Sequence, residues 1–237
     1  MEPSVFIIVL VIAVFSVVQS IFGVGLLVFG TPTFLLLGVS YVDAVGYLLP
    51  SSLLLSFLQT HGFKNKIRIA RGIVLYAIPF VFLGMSLSID FGKNSYITTI
   101  VGVIMLLLAL IRILNIEKLP NIIKKFGRTS LVITGAVHGI SNQGGALLTI
   151  LMGSIYEDKE KIRTNIALAY LLFGLTQFVF LLWFEVGTVG LFSVVYGLVS
   201  LIIYQLIGKA IFKSIDTSLF NGVFTVFITI YGILLMV

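Results

Sequence analysis

The sequence contains no cysteine, only two histidines, a single tryptophan and few charged residues. Charged side chains make up 10% of the 237 residues and hydrophobic ones 59%, whereas a soluble domain has about 25% charged and roughly 45 to 50% apolar residues. The lack of cysteine excludes disulfides, thiolate metal sites and cysteine nucleophiles. A soluble fold of this size cannot bury so much apolar surface, so most side chains must face lipid. Soluble enzymes, nucleic-acid-binding proteins and secreted scaffolds are therefore poor interpretations.

The few charges divide the chain into eight uncharged stretches. Six have about the length of one membrane-spanning helix, which needs about 20 apolar residues. The other two hold 40 and 28 residues, and helix-breaking residues interrupt each near its middle. The eight stretches are 3–42, 44–63, 72–89, 94–111, 129–156, 164–184, 186–208 and 217–237.

The chain has two halves of similar layout, and each begins with one of the two long stretches. The first is interrupted at Gly23-Val24-Gly25, and the second within 141–145. A shift of 119 residues places Gly25 on Gly144 and Gln19 on His138. The pattern indicates an internal duplication in an all-α polytopic membrane protein.

The positions of Lys and Arg predict the orientation, because positive charges in short loops stay in the cytoplasm. If 129–156 crossed the membrane once, nine positive charges would lie inside and six outside; if it forms a hairpin, the count is fourteen to one. The hairpin is preferred, and both termini are then predicted outside. The predicted cytoplasmic loops are 62–71, 112–128, 156–163 and 208–216.

This topology predicts two inverted repeats joined by a cytoplasmic linker at 119–128. Each repeat begins with a glycine-broken hairpin and continues with three spans. The first repeat, 1–118, has its hairpin at 3–42 and spans at 43–63, 71–90 and 94–115. The second repeat, 129–237, has its hairpin at 129–156 and spans at 163–184, 186–208 and 217–237.

The two breaks carry a family resemblance. Gly23-Val24-Gly25 with Thr31-Pro32, and His138-Gly139 through Gln143-Gly144-Gly145, resemble the sulfite exporter TauE/SafE family of membrane anion transporters. The resemblance covers essentially the whole chain. It implies a permease of two inverted halves that moves sulfite, thiosulfate, sulfonates or related small organic anions across the cytoplasmic membrane. The family's usual triple glycine is absent, since Leu26 follows Gly25 and Ala146 follows Gly145.

A small anion bound within lipid needs hydrogen-bond donors. Helix N-terminal amides carry partial positive charge, and glycine allows a ligand to approach them closely. We therefore expect neutral donors to gather where each broken helix restarts, at about Leu26 and Ala146. Glycines also serve close helix packing, and His138 could be a ligand donor, a proton carrier or a packed structural histidine. The predicted substrate-binding residues are Gln19, Gly23, Gly25, Thr31, Gln59, His138, Asn142, Gln143, Gly144, Gly145 and Gln177.

No catalytic residue, metal site or cofactor is expected, because the enzyme and metal motifs G-x-S-x-G and H-E-x-x-H and the phosphate-binding loop are missing. The predicted function is secondary transport, as an exporter of a small anion, by alternating access around a midplane site. An anion channel and a non-transporting membrane assembly subunit are the alternatives. The expected partners are a small anion and the lipid bilayer, with homo-oligomerisation left open and nucleic acid excluded.

Overall fold

A computed structural model describes residues 3–60, 66–93, 96–114, 122, 125–187, 191–214 and 217–237. This part of the chain is helical and contains no strand. In the first half the helices are α1 (Val5–Phe22), a π-helical turn (Leu26–Gly30) that runs into α2 (Thr31–Leu36), α3 (Tyr41–Gln59), α4 (Lys66–Tyr76), α5 (Ile78–Lys93) and α6 (Tyr96–Ile113). In the second half they are α7 (Gly127–Ser141), α8 (Gly144–Ile155), α9 (Lys159–Trp183), α10 (Leu191–Ile203), a π-helical turn (Tyr204–Gly208), α11 (Lys209–Ser214) and α12 (Thr217–Leu234).

Several of these helices are long and apolar enough to cross a membrane. Five qualify directly, and a sixth if α4 and α5, which meet at an angle of 41°, form one bent span. The five are Val5–Phe22, Tyr41–Gln59, Tyr96–Ile113, Lys159–Trp183 and Ser193–Ser214. Large apolar side chains such as Phe6 and Trp183 are exposed on the outer surface, as expected where lipid is the solvent. The prediction of an all-α polytopic membrane protein is confirmed.

The two helices that follow the breaks are too short to span a bilayer. They are Leu26–Leu36 in the first half and Gly144–Ile155 in the second, and we call them the two short helices. At about 1.5 Å per residue they are roughly 17 Å long, about half of a hydrocarbon core. Both are largely buried within the bundle, which protects the broken backbone at their ends from lipid.

Side-chain caps mark the start of the helices that follow each hairpin. The Ser40 hydroxyl accepts the Asp43 N–H at the start of α3, at 3.1 Å, and the Asp158 carboxylate accepts the Lys161 N–H at the start of α9, at 2.8 Å. Each cap satisfies one backbone donor that the helix itself leaves free. The two caps occupy corresponding places in the two halves.

Helices of the two halves pack against each other extensively. α3 packs on α9 and on α10, α6 on α12, α5 on α7, and α1 on α10. A Cβ on Gly102 of α6 would lie 3.0 Å from Leu235 just beyond α12, whereas Arg112 at the end of α6 bonds Thr225 near the middle of α12. α6 and α12 therefore run antiparallel.

α3 and α9 are also antiparallel. A Cβ on Gly187, just beyond α9, would lie 3.0 Å from Val42 at the start of α3. A Cβ on Gly174 of α9 would lie 2.8 Å from the side chain of Leu53, in the second half of α3. The beginning of one helix thus lies beside the end of the other.

Small residues allow the closest of these contacts. A Cβ on Gly84 of α5 would lie 2.8 Å from the Ala136 carbonyl and 2.9 Å from Gly139 Cα, both on α7. At the corresponding α1–α10 contact, the Ser16 hydroxyl donates to the Ser200 hydroxyl at 2.8 Å. Backbones that touch in this way are the usual means of helix association in lipid, where burial of apolar side chains adds little driving force.

Some predicted segments differ in detail from the observed elements. The span expected at 71–90 is the bent pair α4 and α5, and the span expected at 186–208 continues through a π-helical turn to Ser214. The second short helix begins at Gly144, two residues before the expected restart at Ala146. Parts of the predicted cytoplasmic loops, namely 62–65, 115–121, 123–124 and 215–216, lie outside the described residues and include most of the linker 119–128.

Candidate functional site

The helices that precede the two breaks end with the same backbone geometry. α1 ends at Gly23, with φ +75°, and its N–H donates to the Gln19 carbonyl at 2.9 Å. α7 ends at Asn142, with φ +61°, and its N–H donates to the His138 carbonyl at 2.8 Å. Positive φ values suit glycine and, among side chains, asparagine. Gly23 and Asn142 lie 119 positions apart in the chain, so the first helix of each half terminates in the same way.

Gly25 and Gly144, two residues further on in each half, allow the chain to fold back tightly. A Cβ on Gly25 would lie 2.5 Å from the Gln19 nitrogen and 2.9 Å from the Phe15 carbonyl. A Cβ on Gly144 would lie 2.5 Å from His138 Cβ and 2.8 Å from the Thr134 carbonyl. These two glycines therefore pack each short helix against the helix that precedes it, and a side chain there would not point into a cavity.

Gln19 organises the first break. Its amide nitrogen donates to the Ser52 carbonyl at 3.0 Å and to the Ser56 hydroxyl at 3.2 Å. Its amide oxygen accepts the Leu26 N–H, at 3.2 Å. Leu26 is the first residue of the short helix, so a side chain of the protein already uses a backbone donor that the sequence had suggested for the ligand.

The second break contacts the first short helix directly. The Asn142 amide nitrogen donates to the Thr31 hydroxyl at 2.9 Å, and the Gln143 amide nitrogen donates to the Val28 carbonyl at 2.9 Å. Gln177 donates to the Asn142 amide oxygen at 2.7 Å. All these side chains are buried. Neutral polar groups from both halves therefore meet here. We name this group the second polar cluster, after the second helix break; it consists of Thr31, His138, Asn142, Gln143 and Gln177.

Gln59 and Gln177 hold matching places on α3 and α9, 118 positions apart. Gln59 donates to the Gln19 carbonyl at 2.7 Å and to the Ser20 carbonyl at 3.2 Å, at the end of α1. Gln177 reaches the break of its own half through Asn142. Each glutamine therefore supports the helix break of the half to which it belongs.

Several buried polar atoms of these residues have no hydrogen-bond partner within the described part of the chain. They are the amide oxygens of Gln59, Gln143 and Gln177 and both ring nitrogens of His138. Leaving such an atom unsatisfied costs about 1 to 3 kcal/mol, and native proteins leave few of them. Three of the four residues belong to the second polar cluster. Because amide oxygens only accept hydrogen bonds, a water molecule or a ligand that carries a donor would satisfy those of Gln143 and Gln177.

His138 is completely buried beside aromatic rings. Its ring centroid lies 5.0 Å from that of Tyr170 and 4.7 Å from that of Phe173. The Tyr170 hydroxyl in turn donates to the Asn142 carbonyl at 3.4 Å. Packing holds the imidazole in position, and neither of its nitrogens has a hydrogen-bond partner among the described residues.

Near the end of α1 and of α7, a backbone carbonyl accepts a hydrogen bond from a side chain of the opposite half. We call these two hydrogen bonds the closures. Tyr41, at the start of α3, donates its hydroxyl to the Gly139 carbonyl near the end of α7, at 3.1 Å. Arg163, near the start of α9, donates to the Ser20 carbonyl near the end of α1, at 3.2 Å. The Arg163 guanidinium also stacks on the Phe212 ring, 3.4 Å from its centroid. The two acceptor carbonyls lie 119 positions apart in the chain, whereas the two donors differ in position and in charge.

The remaining predicted glycines pack against helices. A Cβ on Gly23 would lie 2.7 Å from the Arg163 carbonyl, and one on Gly145 would overlap the Tyr170 hydroxyl and lie 2.7 Å from the Val28 side chain. The second break contacts Val28 and Thr31, within the first short helix. The reason is that the short helix folds back on α1 and presents its own buried face to the other half.

The sequence analysis did not identify two tyrosines and an arginine that bond the helix breaks. Tyr41 and Tyr170 lie among apolar residues and have the pattern of ordinary core positions, so nothing in the sequence distinguished them. Arg163 entered the sequence analysis only as one of the positive charges of the predicted cytoplasmic loop 156–163. Only the fold shows that it reaches the end of α1.

No metal site is apparent among the described residues, since no three His, Asp or Glu side chains come together there. The side chains of the second polar cluster are neutral amides, a hydroxyl and an imidazole. Such a group can donate hydrogen bonds to an anion without a fixed countercharge.

Helices with a lipid-facing surface and a buried polar cluster between two helix breaks define a multi-pass membrane protein with a polar interior. The chain belongs to the sulfite exporter TauE/SafE family, whose model matches residues 8–235. The resemblance inferred from the glycine breaks is thereby confirmed. Members of this family are transporters rather than enzymes, and membership implies membrane transport of an anion of the sulfite type. No curated protein and no solved structure matches the chain.

Proposed function

We propose that this chain is a secondary transporter that exports a small anion across the cytoplasmic membrane by alternating access. The substrate class is sulfite, thiosulfate, or a small organosulfonate or carboxylate. The observation that carries the proposal is the second polar cluster, where Asn142 and Gln143 of one half bond Thr31 and Val28 of the other. Buried amides in a lipid-embedded bundle are costly unless they are used.

The chemistry of the cluster suits a weakly held monoanion. An oxyanion would accept hydrogen bonds from Thr31, Asn142, Gln143 and Gln177 after displacing some of their present partners, and His138 would add a further donor. Since the cluster has no fixed positive charge, binding would be weak and release easy. An inside-negative potential of about 100 mV would favour outward movement of the anion by about 2.3 kcal/mol.

The arrangement of the helices supports an inverted repeat. α6 and α12 close their respective halves and run antiparallel, and so do α3 and α9, which follow the two hairpins. Contacts between the halves are also exchanged, because α1 packs on α10 just as α7 packs on α5. A twofold axis within the membrane plane produces both features, and transporters with such symmetry bind their substrates between broken helices near the midplane. In this arrangement both termini lie outside.

The two closures supply opposite gates in this proposal. With α3 starting at the outer face and α9 at the inner face, Tyr41 seals the end of α7 toward the outside and Arg163 seals the end of α1 toward the cytoplasm. Both hydrogen bonds are present, so the described conformation corresponds to an occluded state. Opening to either side would require one closure to break while the other persists.

The chain holds both breaks itself, and its proposed partners are the anion and the surrounding bilayer, with homo-oligomerisation left open.

Binding is the first test. Detergent-purified protein would be screened by thermal shift and isothermal titration against sulfite, thiosulfate, sulfate, sulfonates and carboxylates. At least one anion should stabilise the protein, and Asn142→Asp should abolish the effect by placing a negative charge within the cluster. Gln205→Glu, the same amide-to-acid change at an exposed position, should preserve it. Failure of every anion to bind would contradict the proposal.

Flux into proteoliposomes is the second test. A saturable rate far below channel rates is expected, with a clear response to imposed voltage. His138→Gln should retain this voltage dependence if the anion moves alone. Voltage-independent flux that collapses in His138→Gln would instead establish electroneutral movement of proton and anion, whereas unsaturable flux at channel rates would identify an anion channel.

A further inference from the structure

A groove with a volume of about 560 Å³ lies between α6 and α12, on the outer surface of the bundle. None of its lining residues belongs to the second polar cluster. The groove is lined by Arg112, Ile113, Gly222, Thr225, Val226, Thr229 and Ile230. Ile113, Val226 and Ile230 are at least half exposed, with 61%, 56% and 50% of their surfaces accessible. The groove therefore opens toward lipid.

Arg112 provides a cation, held in a defined orientation, at one side of this groove. Its Nε donates to the Thr225 hydroxyl at 3.0 Å, and its Nη1 donates to the Thr149 hydroxyl of α8, also at 3.0 Å. The guanidinium also lies over the Phe224 ring, 4.9 Å from its centroid. A charge held in this way beside lipid, in the last turn of a membrane helix, is a candidate binding group.

The shape and lining of the groove identify the class of ligand. A guanidinium is suited to a phosphate group, while the exposed side chains of Ile113, Val226 and Ile230 give the groove an apolar wall toward lipid. A small free oxyanion would fill only a minor part of this volume and would have no use for the apolar wall. Arg112 ends α6 just before the basic segment that contains Lys118, Lys124 and Lys125, and basic pockets at such helix ends attract anionic head groups.

We propose that this groove binds an anionic phospholipid, with its phosphate at Arg112 and an acyl chain along Val226 and Ile230. The site is separate from the proposed transport site. Because Arg112 also bonds Thr149, lipid binding would stabilise the contact between α6 and the second short helix. The expected consequence is a protein that is more stable in anionic than in zwitterionic lipid.

The test uses purified full-length protein, delipidated in detergent and titrated with phosphatidylglycerol or phosphatidylcholine while bound lipid is counted by native mass spectrometry. Phosphatidylglycerol should bind in preference and should raise the melting temperature more. Arg112→Gln should weaken phosphatidylglycerol binding about tenfold, the effect of losing one charge-assisted contact. Lys161→Gln removes an exposed charge elsewhere and should bind as the unmodified protein does.

A second variant covers the case in which Arg112→Gln fails to fold. Gly222 lines the groove, and among the described residues a Cβ there would meet no atom within 4 Å. Gly222→Leu should therefore fold normally and reduce lipid binding by occupying the groove. Val223→Leu enlarges the next residue, which does not line the groove, and should have no effect.

Three results would overturn the proposal. The first is equal binding of the two lipids, and the second is undiminished phosphatidylglycerol binding in Gly222→Leu. The third is displacement of the lipid by sulfite or sulfate at equal concentration, which would identify a small-anion site. None of these measurements depends on transport, so the lipid site and the transport function can fail independently.

Discussion

Gly23 and Asn142 hold the same position in the two halves of the chain, and each ends its helix in a left-handed conformation with its N–H bonded four residues back. Gly23 contributes only backbone, whereas the Asn142 side chain donates to the Thr31 hydroxyl and accepts a hydrogen bond from Gln177. The halves therefore share a geometry and differ in chemistry. This side-chain bridge between the halves starts from the second break.

The first prediction separates the backbone role of Asn142 from its side-chain role. Asn142→Gly should lower the free energy of unfolding by about 1 to 2 kcal/mol, through loss of the buried hydrogen bonds. Asn142→Ala should lose a further 1 kcal/mol or so, because alanine resists a positive φ. Thermal unfolding in detergent measures both. If the alanine variant is as stable as the glycine variant, the left-handed cap is not important.

The second prediction concerns Gly144, which packs on α7. Gly144→Ala should destabilise the protein by about 1 to 3 kcal/mol, because its Cβ would lie 2.5 Å from His138 Cβ. Gly153 lies on the same helix with nothing within 4 Å of its Cβ position. Gly153→Ala should therefore be neutral or stabilise by up to about 1 kcal/mol. Equal unfolding temperatures for the two variants would contradict close packing at the break.

The third prediction tests the orientation, and the absence of cysteine from the sequence makes labelling simple. Lys161 and Glu185 lie at opposite ends of α9, and both are exposed. An impermeant thiol reagent applied outside intact cells should label Glu185→Cys and leave Lys161→Cys unlabelled until the membrane is opened. Labelling of Lys161→Cys from outside would exclude the hairpin topology.

The fourth prediction concerns the closure made by Tyr41. Tyr41→Phe removes the hydroxyl that bonds the Gly139 carbonyl while keeping the ring, so the outer closure should weaken. A cysteine at Ser141, buried in the described conformation, should then react several times faster with a reagent applied outside. Tyr47→Phe alters a half-buried tyrosine of the same helix and serves as the control. Equal reaction rates in the two variants would remove Tyr41 from the proposed gate.

Composition was sufficient to predict the environment of the chain, because lipid is the only solvent in which so many apolar side chains can be exposed at low cost. The positions of the breaks also followed from local chemistry. Gly23 and Gly25 in one half, and Asn142 to Gly145 in the other, interrupt apolar runs that would otherwise remain helical. The family assignment that depended on these residues is confirmed, whereas the orientation and the repeat boundaries stay predictions.

The partners of the polar residues were decided by the tertiary structure. Gln19 accepts the Leu26 N–H and donates to α3, and its contact with substrate stays a prediction. Nothing in the sequence linked Asn142 to Thr31 or Gln143 to the Val28 carbonyl, since these pairs lie more than 100 residues apart. A glycine in an apolar run indicates that the helix is interrupted and that backbone groups need partners. An amide in such a run indicates that its side chain needs partners. Which partners they find depends on how the two hairpins pack, and that depends on contacts along whole helices rather than on any short motif.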